Sequence, residues 1–205
     1  TPACYDGKLF VGSYDNNLYC LNAADGEFEW KYPTEGGIPG RPAVDTENVY
    51  VGSEDGRLHV ITQRNGKLDW AHFTDGPVRS SPKIAEGHVF VGSDDRYLHA
   101  VNLATRRLSW RFEPSGPIRS TPFVTQEMIY FGSEDGEFSC LDFRGKIKWR
   151  YKSKRAITSS PVVVGDTVYF SSMDNMVYAL DSKSGYVIWR FRLGKGSISS
   201  PYVLE

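Results

Sequence analysis

Apolar and polar residues alternate in short runs along the whole chain, as in Val49-Tyr50-Val51 followed by Leu58-His59-Val60. Period two is the pattern of a strand with one buried face, because successive side chains point to opposite sides of a sheet. Turn-forming residues interrupt the runs every 6 to 10 positions, which predicts short strands and no helices. One stretch defines a four-stranded unit. Strand A begins at Ser81-Pro82-Lys83-Ile84, B is Val89 to Ser93, C is Leu98 to Val101 and D is Leu108 to Phe112. Asp15-Asn16, Asp55-Gly56, Asp135-Gly136 and Asp174-Asn175 fall between B and C, where residues tolerant of positive φ make a tight hairpin. A second glycine, at 26, 66, 145 and 185, makes the C-to-D turn. The third unit has Arg96 and Arg106 at these two positions, so its hairpins are either built differently or strained.

The unit repeats. The five tryptophans stand at 30, 70, 110, 149 and 189, at intervals of 40, 40, 39 and 40, and Pro2, Pro42, Pro82, Pro122, Pro161 and Pro201 keep the same spacing. An antiparallel four-stranded unit of about 40 residues, repeated, closes radially into a β-propeller, which leaves only short protected edges. The predicted fold is therefore all-β: one domain over residues 1–203, with repeats at about 1–40, 41–80, 81–120, 121–159 and 160–199. Thr1-Pro2-Ala3-Cys4 and residues 198–203 both read as an innermost strand A. Either the second completes blade one as a clasp in a closed five-bladed ring, or the chain is five blades of a longer array. Leu204-Glu205 is read as a cloning scar, and a parent protein extending beyond both ends is expected.

The segment from Val51-Gly52-Ser53-Glu54-Asp55-Gly56-Arg57-Leu58 through Asn65-Gly66 and Trp70 to Ser80-Ser81-Pro82 resembles the PQQ-like (quinoprotein-type) propeller repeat, and the resemblance covers essentially residues 1–203. It implies a propeller in which each Trp docks between neighbouring blades. It also points by fold analogy to the propeller lipoprotein of outer-membrane protein assembly and to extracellular sensor domains of bacterial kinases, which favours an extracytoplasmic location. Quinoprotein dehydrogenases of this repeat family use adjacent cysteines, a catalytic Asp and a calcium ion. No adjacent cysteines occur here: Cys4, Cys20 and Cys140 occupy repeat positions held elsewhere by Val, Ile or Ala and are expected to be small core residues. No cofactor is expected, and no catalysis.

Composition narrows the picture further. With 40% hydrophobic and 24% charged residues the 205-residue chain is that of a globular protein, and no apolar run approaches the ~18 residues needed to span a bilayer. The formal net charge of −1 hides a division: residues 1–140 carry 13 basic against 20 acidic side chains, residues 141–205 carry 11 against 5. His59, His72, His88 and His99 replace ordinary strand or turn residues of other repeats, and no nucleophile–base constellation emerges. The turn aspartates are expected to bond their own backbone.

What varies between repeats singles out binding candidates. The first position of the B-to-C turn reads Tyr14, Glu54, Asp94, Glu134, Met173; in a closed ring Tyr14, Met173 and Met176 would be neighbours across the seam, beside an acidic arc. Arg79 and Arg119 stand three before the strand-A proline, near the channel mouth, placed either to grip an anion or to pair with nearby acids. Lys146, Lys148, Arg150, Lys152 and Lys154 alternate with packing residues on strand D of the fourth repeat, either to protect an edge or to dock an acidic partner; no aromatic platform accompanies them, so nucleic acid is not expected. The function expected is a binding scaffold or sensor domain that presents one loop face to a protein or peptide, monomeric if the ring closes. The alternative is a propeller binding a small ligand or a quinone.

Overall fold

A computed structural model describes residues 1–203 and contains five four-stranded antiparallel sheets in sequence order, each a propeller blade. Blade one is β1 (Ala3–Tyr5), β2 (Lys8–Gly12), β3 (Asn17–Asn22) and β4 (Phe28–Pro33). Blade two is β5 (Ala43–Val44), β6 (Asn48–Ser53), β7 (Arg57–Thr62) and β8 (Leu68–Phe73), and blade three is β9 (Lys83–Ala85), β10 (His88–Gly92), β11 (Leu98–Asn102) and β12 (Arg107–Phe112). Blade four is β13 (Phe123–Val124), β14 (Met128–Gly132), β15 (Glu137–Asp142) and β16 (Ile147–Lys152), and blade five is β17 (Val162–Val164), β18 (Thr167–Ser172), β19 (Met176–Asp181) and β20 (Val187–Arg192).

The hairpins follow from their turn residues. Asn16, Gly56, Gly136 and Asn175 all adopt positive φ between B and C. Arg96 and Arg106 do the same, at φ 73 and 59, so the third blade keeps the common turn and carries the strain. Each C–D pair also has a register shift beside the tryptophan, for example between Cys140 and Leu141 opposite Trp149 and Ile147. The alternation of the sequence does not reveal this bulge, which bends strand D.

Apolar side chains from consecutive blades form four cores, one per interface. Between blades four and five Phe138 and Phe170 stack at 4.1 Å, with Trp149 against Phe138 at 5.8 Å. Trp30, Trp110 and Trp149 each donate Nε1–H to a carbonyl of the next blade, on Gln63, Phe143 and Ser182, at 3.0, 2.8 and 2.9 Å. Their rings lie against Gly66, Gly145 and Gly185, so close that a Cβ there would stand 2.5–2.7 Å from ring carbons. A side chain at these turns would displace the tryptophan. Buried Ile157 likewise lies over Gly132, and in blade five the corresponding pair is Ser171 and Ser197.

The five blades form an open arc. Trp189 is 45% exposed, every residue of β20 is exposed, and Gly26, the glycine a closed ring would press against Trp189, has nothing within 4 Å of a Cβ built on it. The closed ring with a clasp is therefore not what forms, and residues 198–203 make no strand. Instead Ser160 N–H donates to Ser200 Oγ at 2.9 Å, the bond by which Arg41 N–H meets Ser81 Oγ and Thr121 N–H meets Ser160 Oγ between earlier blades. The segment starts along the path of a next inner strand, with no B strand beside it to pair with. The expectation of a monomer, which hung on closure, loses its ground. Leu204 and Glu205, read as a scar, lie outside the described residues.

Candidate functional site

The loops before each strand A and the B-to-C turns share one face, and the backbone pins them together. Glu54, Asp94, Glu134 and Met173 each donate N–H to the preceding loop, to carbonyls of Gly37, Pro77, Pro117 and Ala156, at 2.8–2.9 Å. In return Ile38, Val78, Ile118 and Ile157 donate N–H to Ser13, Ser53, Ser93 and Ser133 at 2.9–3.1 Å. These isoleucines and the valine are buried, which holds Arg79, Arg119 and Thr158, each directly following one of them, at the rim.

On that frame the candidate arginines alternate with acids. Arg79 pairs with Glu54 at 2.8 Å and with Asp94; Arg119 pairs with Asp94 at 2.9 Å and with Glu134 at 2.8 Å. The hydrogen bond to Glu54 holds the Arg79 guanidinium above its ordinary value, and the bond to Asp94 does the same for Arg119. Of the two roles open to them, pairing with acids is the one seen: Glu54, Asp94 and Glu134 take part, while the neighbouring Asp95 and Asp135 pair with His99 and Lys152. Tyr14 and Met173 lie at opposite ends of this row, in blades one and five, and the open arc does not bring them together. Tyr14 is 72% exposed and packs over Gly37; Met173 lines a pocket of about 550 Å³ with Arg119, Glu134, Ala156, Thr158 and Ile198. Met176 sits apart, against the core of blades four and five and beside Lys154, Asp174 and Arg192.

The basic strand is β16 with its flanks. Lys148, Arg150 and Lys152 are exposed while Trp149 is buried, and the three pair across the hairpin with Asp142 at 3.0 Å, Glu137 at 3.2 Å and Asp135. Arg150 also lies over the Phe112 ring at 5.3 Å. Much of the stripe is thus neutralised within its own blade; Lys146 and Lys154 have no ion pair among the described residues.

The turn aspartates do more than cap their own backbone. Asp15, Asp95 and Asp174 accept from N–H groups two residues on, at 2.9–3.2 Å. The second oxygen of each reaches the side chain four residues later: Tyr19, His99 and Tyr178, and Asp55 does the same with His59. Asp55, Asp95 and Asp174 also accept N–H from the previous blade's loop, at Glu35, Asp75 and Lys154. Two chains of polar groups result inside the blade interfaces, Tyr32–His59–Asp55 and His72–His99–Asp95, with links of 2.9–3.1 Å. Burial lowers His59, and burial followed by the neighbouring His99 pushes His72 down to about 4. The sequence signal was present but unread: Asp followed at i+4 by Tyr or His recurs in four repeats. Where the fourth has Ser139, Asp135 takes Lys152 instead.

Cys20 and Cys140 are buried, with thiols pushed up by burial to about 11 and about 12. Cys4 is exposed, contrary to expectation, because its inner strand lines the open central groove with Thr1, Arg41, Ser81 and Lys83. No cluster of metal-ligating side chains occurs among the described residues, and no helix there is long and apolar enough to cross a membrane.

A row of four-stranded blades joined by tryptophan-on-glycine contacts, with a charged loop face, defines a PQQ-like β-propeller. The family described as beta-alanine-activating enzyme, beta-propeller, matches residues 1–205, and the chain belongs to it. Among solved structures the chain is similar to BamB from Moraxella catarrhalis, with 18% identity and a TM-score of 0.85 over 98% of this chain and 66% of that one. It is also similar to the computationally designed Ika8 protein, with 13% identity and a TM-score of 0.87 over 100% of this chain and 64% of that one. The chain spans about two thirds of the length of either, and these likenesses are of fold. No curated protein matches the sequence.

Proposed function

We propose that the chain is a non-catalytic binding module that presents its loop face to a protein partner. The observation that carries this reading is the row running Tyr14, Glu54, Arg79, Asp94, Arg119, Glu134, Met173, in which a paired polar spine ends at each side in an exposed or half-buried apolar side chain. Rigid, pre-paired charge flanked by aromatic and Met side chains suits a protein surface, because little order must be imposed on binding. Among the strongly displaced titratable groups, Cys20 and Cys140 lie within blade cores and His72 is bonded to His99 of the next blade, and the three do not meet in one pocket. A second reading, a small anionic ligand in the central groove of about 520 Å³, draws on Arg41 and Lys83, which line it with no carboxylate beside them.

A photo-crosslinking residue placed at Tyr14 or Ile198 of the protein is expected to trap a discrete protein, and one at Asn65 on the opposite face is not. Crosslinks from Asn65 alone, or from none of the three, would overturn the reading. Absorbance and mass spectrometry of the purified protein would expose a co-purifying ligand under the second.

A further inference from the structure

The loop face follows a rule that one blade breaks. The residue three before each strand-A proline lies between the turn residues of two consecutive blades, and in blades three and four it is an arginine that bridges two acids. At the next rung it is Thr158, between Glu134 and Met173, and the shorter side chain leaves the pocket of about 550 Å³. One further observation bears on what would fill it. The row holds three carboxylates, Glu54, Asp94 and Glu134, against two guanidinium groups, and Glu134 pairs through Oε1 alone while Asp94 uses both oxygens.

This inference rests on the protein-binding reading of the face and names what the face takes. We propose that the Thr158 pocket receives an arginine side chain of a partner protein, with its guanidinium on Glu134 and its aliphatic stem along Met173 and Ile198. A planar fork can meet a carboxylate with two donors at once, as Arg119 does at Asp94, whereas an ammonium is a point charge. An anion finds no free cation there, since Arg119 is already held by Asp94 and Glu134. The methylene stem matches the Met173, Ala156 and Ile198 side of the pocket.

The test uses capped pentapeptides with a central arginine, or with citrulline as its uncharged isostere, titrated into protein carrying ¹³C-methyl methionine. The arginine peptide is expected to shift the Met173 methyl saturably and the citrulline peptide to bind about tenfold more weakly. Glu134→Gln should erase that difference, and Thr158→Arg, which fills the rung from within, should abolish binding. If Thr158→Arg does not fold, Thr158→Leu narrows the pocket with an uncharged side chain and should weaken the arginine peptide by about threefold or more. Equal response to both peptides, or no response at Met173 up to millimolar arginine peptide, overturns the proposal. A partner that still crosslinks at Tyr14 while the peptides are not distinguished keeps the binding face and discards the arginine pocket.

Discussion

Trp149 and Trp189 occupy the same place in consecutive repeats and meet opposite fates. Trp149 is 9% exposed, stacks on Phe138 and donates to Ser182 O; Trp189 is 45% exposed and lies against the ring of Tyr169 at 5.8 Å, within its own blade. The residues around each are alike. What differs is the presence of a following blade with a glycine turn and a free carbonyl. Docking is thus a property of the pair of blades and not of the tryptophan, as expected of repeat architectures whose stability comes from nearest-neighbour interfaces.

The largest test of this contrast removes both rings. Trp149→Ala is expected to cost about 3–5 kcal/mol, because a packed aromatic and a buried hydrogen bond vanish and a cavity remains, whereas Trp189→Ala should cost less than about 1 kcal/mol. Urea melts of the two variants decide it; equal losses would mean that the flank of blade five is packed in solution.

A second test uses pH, since the buried histidines lie in the interior interfaces and none lies on the open flank. His72 titrates in the folded protein at about 4, below the ~6.5 of a free imidazole, so the unfolded chain binds the proton first as pH falls. Its contribution is complete above about pH 6.5 and is lost progressively toward pH 4, of the order of 1–3 kcal/mol, and buried His59 adds in the same direction. His72→Phe, the residue at the matching position Phe112, should flatten that loss between pH 7 and 4.5; an unchanged slope would exclude His72 as its source.

The smallest effect concerns the interface whose turn lacks glycine. Arg106 holds φ 59 where Gly66, Gly145 and Gly185 receive the preceding tryptophan, and among the described residues Trp70 has no carbonyl partner for Nε1. Arg106→Gly should stabilise by about 0.5–1 kcal/mol, relief of left-handed strain outweighing the added chain entropy and the loss of the exposed 3.0 Å pair with Asp69. A lower urea midpoint would show that the ion pair matters more than the strain.

Much of this was legible in the chain. The spacing of tryptophans and prolines, the period-two alternation and the Asp-Gly or Asp-Asn turns specify twenty short strands in five blades, because local backbone preference and one-sided burial act within each repeat. The same reading identified the rim arginines and offered the acids as one of two partners. Tertiary structure decided what depends on a neighbour. Whether Trp189 and Cys4 are buried depends on a ring closing, and closure is set by the small rotation between blades, which no single repeat encodes. The polar chains through His59 and His99 and the vacancy beside Thr158 likewise join residues of different blades, so only the packed arc brings them within hydrogen-bond range.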